Sequence, residues 1–226
     1  ESIANTGPSA IQPDSETRAQ APRMNSPSPS LDAACTEVAN ALLKSDRPRL
    51  HLGMGVHGHD STSLALQLAE ATGCLVSTTF SGKGSCPETH PQWLWAGVGP
   101  ALPPALRQVG DACDTWLIIG ARMGELASAH YQWRRPSGNI FHVDIEPSVP
   151  GANLAGAVPI VSDATGFLMA LMGAIGSRRR KMPQDRLKTA QDHPKTAQEA
   201  SQSPQASIGG RRQRRSLQIE SNRYSK

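Results

Sequence analysis

Between residues 31 and 176 two kinds of apolar spacing alternate, one repeating every three to four positions and one running unbroken for four or five. The first kind opens the segment. Leu31, Ala34, Cys35, Val38, Ala41 and Leu42 share one face at helical spacing, which predicts an amphipathic helix over residues 31–45 with Ser30 as its N-cap. Residues 49–52 (Arg-Leu-His-Leu) then read as a short strand running into the glycine-bearing turn 53–58. A second helix follows, capped by Asp60 or Ser61, carrying Leu64, Leu66, Leu68 and Ala69, and stopped by Gly73 at its C′ position. Residues 74–78 predict a strand, 79–84 (Thr-Phe-Ser-Gly-Lys-Gly) a loop, the stretch with Pro87, Pro91 and Pro100 a loose connection, and 101–109 a short helix. The run 115–119 is apolar on both faces, the mark of a central parallel strand covered from either side. Residues 139–143 and 158–161 predict two more strands, after which Asp163 caps a last helix bearing Phe167, Leu168, Leu171 and Met172.

Alternating strands and helices with short connections predict an α/β fold, a Rossmann-like doubly wound parallel sheet of about six strands, because right-handed crossovers lay helices on both faces. In such sheets the ligand crevice lies beyond the carboxyl ends of the strands. Those ends are residues 53–58, 79–84, Gly120-Ala121-Arg122 and Asp144-Ile145-Glu146.

Composition changes the picture mainly at the two ends. Residues 1–30 hold five Pro, six Ser and two isolated Ile, too little apolar surface to offset chain entropy, and are expected to be a disordered linker. Residues 177–226 carry 13 Lys+Arg against 4 Asp+Glu, including Arg178-Arg179-Arg180-Lys181 and Arg211-Arg212-Gln213-Arg214-Arg215, and read as a basic disordered tail. Residues 31–176 hold 8 basic and 12 acidic residues, so the pI near 9.1 belongs to the tail and not to the predicted domain. Such a tail could bind nucleic acid by counterion release, but it lacks interleaved aromatics apart from Tyr224, and solvated disorder is the preferred reading. No apolar run reaches the roughly eighteen residues a membrane span needs, and no basic-then-apolar opening suggests a secretory signal. Cys35, Cys74, Cys86 and Cys113 are scattered without a C-x-x-C pair, which points to reduced thiols and a cytoplasmic protein.

The strand-end loops carry the candidate chemistry. Residues 53–58 satisfy G-x-G-x-x-G between a predicted strand and helix, where bare backbone can approach a pyrophosphate. A nicotinamide site would also want an acid about twenty residues on, and Thr79, Phe80 and Ser81 stand there instead. The glycines can equally serve a tight turn. His57, His59 and Asp60 crowd together but lack a second ligand cluster, so no metal is expected. His90 lacks a nucleophile motif beside it. Lys83 stands either against a phosphate or carboxylate or in solvent, and Arg122 is set either for bidentate phosphate binding or for an ion pair with Asp144 or Glu146. Trp93, Trp95 and Trp133 are candidates for faces covered by neighbouring domains, with core packing as the alternative.

Five segments taken in order carry a resemblance: Gly53-Met-Gly-Val-His-Gly, Val76-Ser-Thr-Thr-Phe-Ser-Gly-Lys-Gly-Ser-Cys-Pro-Glu-Thr-His-Pro, Ile119-Gly-Ala-Arg, Phe141-His-Val-Asp-Ile-Glu-Pro and Ile160-Val-Ser-Asp. Together they resemble the central domain of thiamine diphosphate-dependent enzymes of the acetolactate synthase type, over residues 31–176. The resemblance implies a six-stranded Rossmann-like domain set between two thiamine-binding domains of a homo-oligomeric transferase or lyase acting on 2-oxo acids. It also implies that catalysis belongs to those outer domains. One supplies a glutamate that activates the thiazolium ring, and the other a Gly-Asp-Gly…Asn motif that holds Mg²⁺ and the diphosphate. This sequence has only Gly110-Asp111-Ala112, so thiamine diphosphate and Mg²⁺ are expected in the parent enzyme, with no catalytic residue or metal ligand on this chain.

Flavin-containing relatives bind FAD through the same strand ends. Carried across, the resemblance places Gly53 and Gly55 near the diphosphate or ribitol, Thr79, Phe80 and Ser81 along the isoalloxazine, Gly120, Ala121 and Arg122 at the diphosphate, and Ile145 and Glu146 near the adenosine. Relatives without flavin keep the domain as a structural unit. Three departures bear on that choice: Met54 within the glycine triplet, Gly97-Val98-Gly99-Pro100 in place of a Gly-Met-His-Gly loop, and Met123-Gly124-Glu125 after Arg122. The expectation is therefore a non-catalytic central domain, with FAD as an added capacity. The alternative is a free-standing NAD- or FAD-binding oxidoreductase, which would lack both a ribose carboxylate after the second strand and an acid or base for hydride transfer.

Overall fold

The structure, a computed structural model, describes residues 30–180; the disorder expected of residues 1–30 and 177–226 lies outside them except at Ser30, which caps the first helix, and at residues 177–180, which continue and close the last helix instead. The described residues form helices α1 (Leu31–Lys44), α2 (His59–Thr72), α3 (Pro104–Asp111) and α4 (Ala164–Arg179) and strands β1 (Pro48–Leu52), β2 (Leu75–Thr78), β3 (Trp93–Ala96), β4 (Thr115–Ile119), β5 (Ile140–Asp144) and β6 (Val158–Val161), in the chain order α1-β1-α2-β2-β3-α3-β4-β5-β6-α4. The strands form one sheet in the order β3-β2-β1-β4-β5-β6, with every neighbouring pair parallel. This is the doubly wound arrangement expected. Its order reverses between β1 and β4, so the crevice opens there.

Local signals explain most boundaries. Ser30 Oγ accepts from the Ala33 N–H at 3.3 Å, and Asp163 Oδ1 accepts from the Gly166 N–H at 2.7 Å, so both caps sit where expected. Gly73 ends α2 with φ 75°, left-handed backbone that favours glycine. Asp163→Ala is expected to cost about 1 kcal/mol of unfolding free energy while Asp163→Asn costs less, measurable by denaturant titration.

Three expectations need correction. The cap of α2 is Gly58, not Asp60 or Ser61: the Thr62 N–H closes the first turn on the Gly58 carbonyl at 2.9 Å, while Ser61 Oγ turns back to the Val56 carbonyl at 3.0 Å. The helix begins earlier because the turn Met54–Val56 brings the chain round without a side-chain cap. The helix expected at 101–109 starts at Pro104, the N1 position that suits proline, after a separate turn at Gly99–Ala101. Within the supposed loose connection lies the edge strand β3, whose Trp93-Leu94-Trp95 alternation buries Leu94 and leaves Trp95 38% exposed.

Register sorts the core into two layers. Leu50, Leu52, Val76, Leu117, Ile119, Phe141 and Val143 point toward α1, α2 and α4. On the opposite face Leu75, Trp116, Ile118 and Ile140 meet Val109, Leu102 and Met123, covered by α3 and by irregular connections. β1 and β4 are buried along their whole length. Among the described residues no helix is long and apolar enough to cross a membrane.

Candidate functional site

The loops after β1 and β4 lie almost in contact. The Gly53 N–H donates to the Ile119 carbonyl at 2.9 Å and the Gly55 N–H to the Gly120 carbonyl at 3.0 Å. A Cβ on Gly53 would stand 2.0 Å from the Gly120 oxygen, and one on Gly55 2.8 Å from the Gly120 Cα. Gly120 itself has φ 62°. The glycine motif therefore first serves to seat one loop on the other. Its early N–H groups are spent inside the protein, since those of Val56 and His57 return to Gly53 and Met54. The first turn of α2, whose N–H groups have no partner within the helix, stands at the edge of the crevice.

That crevice is a cleft of about 280 Å³ bounded by Gly55, His57, Gly58 and Ser61 after β1, Gly120 after β4, Asp144 at the end of β5 with Ile145 after it, and Ser162, Asp163 and Thr165 after β6. Of the expected residues, Gly55, Gly120 and Ile145 line it. Gly53 is buried beneath the loop contact, and Ala121 is buried with its carbonyl held by His142. Thr79 is buried, its Oγ1 accepting from the Gly82 N–H at 2.9 Å. Ser81, Arg122 and Glu146 are exposed outside the lining, and Phe80 is 58% exposed. The residues after β6 were not placed at the crevice by sequence reasoning, which read Asp163 only as a cap. The rule that all carboxyl ends of a parallel sheet share one edge contained the signal.

Charge decides what the cleft can recognise. Asp144 and Asp163 line it, and no Lys or Arg does. The anticipated pairing of Arg122 with Asp144 or Glu146 is absent from the ion pairs among the described residues, which are Lys83–Glu88 at 2.9 Å, His90–Glu70 at 3.5 Å and His130–Glu125 at 2.8 Å. Two carboxylates accept hydrogen bonds from hydroxyl or amino groups, whereas phosphate finds only the α2 N-terminus. Among the described residues no three His, Cys, Asp or Glu gather to hold a metal ion. All four cysteines are buried and free, with burial pushing the Cys74 and Cys86 thiols up to about 12.

Beneath the cleft, the face carrying Trp116 holds a buried polar row. Ser77, His51, Ile118 and His142 are register partners across β2, β1, β4 and β5, with Arg49 one step earlier on β1. The Arg49 Nε donates to Ser77 Oγ at 2.7 Å and its terminal nitrogen to the Gly97 carbonyl at 2.9 Å, while its guanidinium lies 4.3 Å from the Trp116 ring centre. Trp133 packs on Trp116 at 5.1 Å between centroids, so this tryptophan belongs to the core. Burial lowers the Arg49 guanidinium to about 10, still charged at neutral pH. Burial also holds His51 and His142 neutral, the former further discouraged by the Arg49 charge.

Comparison with known proteins gives these surfaces a context. The sequence profile described as "Thiamine pyrophosphate enzyme, central domain" matches residues 35–171. The chain is 33% identical over 139 residues to the "Probable acetolactate synthase large subunit" of Methanocaldococcus jannaschii, covering 62% of this chain and 23% of that protein. It is 28% identical over 141 residues to an acetolactate synthase of Mycobacterium bovis, covering 62% and 22%. The crystal structure of benzoylformate decarboxylase from Polynucleobacter necessarius superposes with TM-score 0.52 at 21% identity, over 64% of this chain and 27% of that one, a likeness of fold. The chain thus spans about a quarter of the length of the curated relatives it matches.

Proposed function

Since the chain belongs to the thiamine pyrophosphate enzyme central-domain family, we propose that it is the non-catalytic platform of an acetolactate synthase-like enzyme acting on 2-oxo acids, with a cleft for the adenosine end of a nucleotide such as FAD. The observation that carries this reading is the cleft at the strand-order reversal, with Asp144 and Asp163 as its acceptors. The family's thiamine diphosphate and Mg²⁺ do not fit the residues described: no Gly-Asp-Gly motif occurs in the sequence, and no metal-ligating cluster forms among them. The carbanion chemistry is accordingly assigned to other domains of the parent enzyme, which this domain would hold in register within an oligomer.

The residues present do fit an adenosine-sized group. Asp144 and Asp163 would accept from ribose hydroxyls or an amino group, Ile145, 70% exposed, would cover the base, and Gly55 and Gly120 would let the ligand approach backbone. The rest of a dinucleotide would pass over Ala121 and Arg122 toward Thr79, Phe80 and Ser81, where the exposed Phe80 ring offers a surface for an isoalloxazine. A bound flavin would supply two-electron redox chemistry. At about 280 Å³ the cleft is near the lower bound of small-molecule sites, roughly 300–1,000 Å³, so it suits a nucleoside and not a whole dinucleotide.

The test is a calorimetric titration of the 226-residue chain with ADP and with FAD. Both are expected to bind, and Asp144→Asn to weaken both about tenfold or more, the loss of a hydrogen bond to a charged group being worth about 1.5–3 kcal/mol. Heatless titrations would refute the nucleotide cleft. Pyruvate consumption by this chain with only thiamine diphosphate and Mg²⁺ added would refute the platform assignment.

A further inference from the structure

Two of the crossovers on the Trp116 face lack the helix that α3 supplies to the third. Residues 120–139 and 145–157 contain no helix. In the first of these, Met123, Ala129, His130 and Tyr131 all have positive φ between 48° and 61°, a conformation that costs a non-glycine residue roughly 1–2 kcal/mol each. Local preference does not hold this loop in place, so its contacts must. Both connections are fastened to the sheet by one buried side chain. His142 Nε2 lies 2.7 Å from the Ala121 carbonyl, and the Gly151 N–H donates to His142 Nδ1 at 3.0 Å. The loops also touch each other, Asn153 Nδ2 donating to the Arg122 carbonyl at 3.0 Å and Arg135 to the carbonyls of Ala155 and Gly156.

These partners fix the state of the ring. A carbonyl can only accept, so Nε2 carries the hydrogen; an amide N–H can only donate, so Nδ1 must stay bare. A second proton would set Nδ1–H against the Gly151 N–H and place a charge where the ring has no contact with water. We propose that His142 is a proton-operated latch, whose protonation releases Gly151 and the 145–157 connection and thereby loosens the β5 side of the cleft at Asp144 and Ile145. The inference does not depend on what the cleft binds.

Asp144, two residues on along β5, favours the protonated ring, and burial opposes it more strongly. Across the sheet stands His51 with Arg49 beyond it, and the end of α3 and the turn after it bring Asp111 and Cys113 toward Arg49. The covering loops contribute the exposed Arg122, Glu125, His130, Arg134, Arg135 and Glu146 and the uncharged Asn153, while β6 presents Pro159. Because the latched ring holds its proton less tightly than a free histidine at about 6.5, the closed state is fully favoured above that pH and is lost as pH falls below it. Between the two pKa values the open fraction rises about tenfold per pH unit.

The experiment is nuclear magnetic resonance on the full chain from pH 8 to pH 5, following the His142 imidazole nitrogens and the Gly151 amide protection factor, corrected for intrinsic exchange. The expected result is a Gly151 protection factor that falls about tenfold per pH unit from about 6.5 down to the lower pH at which Nδ1 of the closed state takes up its proton. His142→Gln, which keeps polar contacts but does not titrate, should flatten that slope, and His51→Gln should retain it. A pH-independent Gly151, a slope that persists in His142→Gln, or one that disappears in His51→Gln alone would overturn the latch. If His142→Gln fails to fold, the wild-type imidazole decides: a Gly151 protection factor that stays constant from about pH 6.5 down to the pH at which Nδ1 takes up its proton refutes the proposal.

Discussion

Gly53→Ala should lower the thermal unfolding midpoint by about 10 °C, although it adds a single methyl group to a position whose backbone, φ −96°, any residue can adopt. The reason is space. The new Cβ would meet the Gly120 oxygen at 2.0 Å and the Ala121 Cα at 2.5 Å, both backbone atoms that no rotamer change can clear. Relief requires the loops after β1 and β4 to part, which breaks the hydrogen bonds from Gly53 to Ile119 and from Gly55 to Gly120. Overpacking at about 1–3 kcal/mol and two backbone bonds at about 1 kcal/mol each bring the cost to roughly 3–5 kcal/mol. Gly124→Ala is the matched control, since a Cβ there meets nothing within 4 Å, and should stay within about 0.5 kcal/mol. Calorimetric scans that moved the two variants equally would contradict this account of the motif.

Ser77→Ala should cost about 3 kcal/mol, far more than the removal of an ordinary hydroxyl. Ser77 Oγ accepts from the Arg49 Nε and lies 2.8 Å from His51 Nδ1, and all three side chains are buried. His51 Nε2 already has no partner. Losing the hydroxyl strands a charged donor and the remaining ring nitrogen together, at about 1–3 kcal/mol for each unsatisfied group. In the Arg49→Met background the charge is gone and an apolar chain of similar length fills the space beside Trp116, so the same substitution should cost less than half as much. A double-mutant cycle in denaturant reads the coupling directly, and additivity of the two changes would show that the row does not act as a unit.

Much of this architecture was legible because it rests on local rules. Thr115–Ile119 could only be a covered strand, Gly73 had a left-handed stop to fill, and Ser30 and Asp163 preceded apolar periodicities that needed caps. β3 is not legible in the sequence because its four residues, set between Pro91 and Gly97, give too short a period, and its strand identity depends on the β2 edge that receives it. The G-x-G-x-x-G segment showed where the crevice would be but not how its glycines act. The same letters allow a phosphate cradle or a loop-to-loop seat, and only the position of Gly120 discriminates.

The polar row makes the same point from inside the core. Arg49 and His51 alternate with Leu50 and Leu52, a pattern that sequence alone would give to a strand with one face in water. Here both faces are buried, and the polar side chains bond loop carbonyls that only the folded chain delivers. Periodicity and capping, which act over a few residues, thus determined most of the elements, the parallel character of the sheet and the edge where ligands belong. Close approach of distant backbone, the acidic character of the cleft, and the bonds from Arg49 and His142 to loops were decided by tertiary structure, because each depends on atoms brought together from different segments, from nine residues apart for His142 and Gly151 to 48 for Arg49 and Gly97 and further for Gly53 and Gly120.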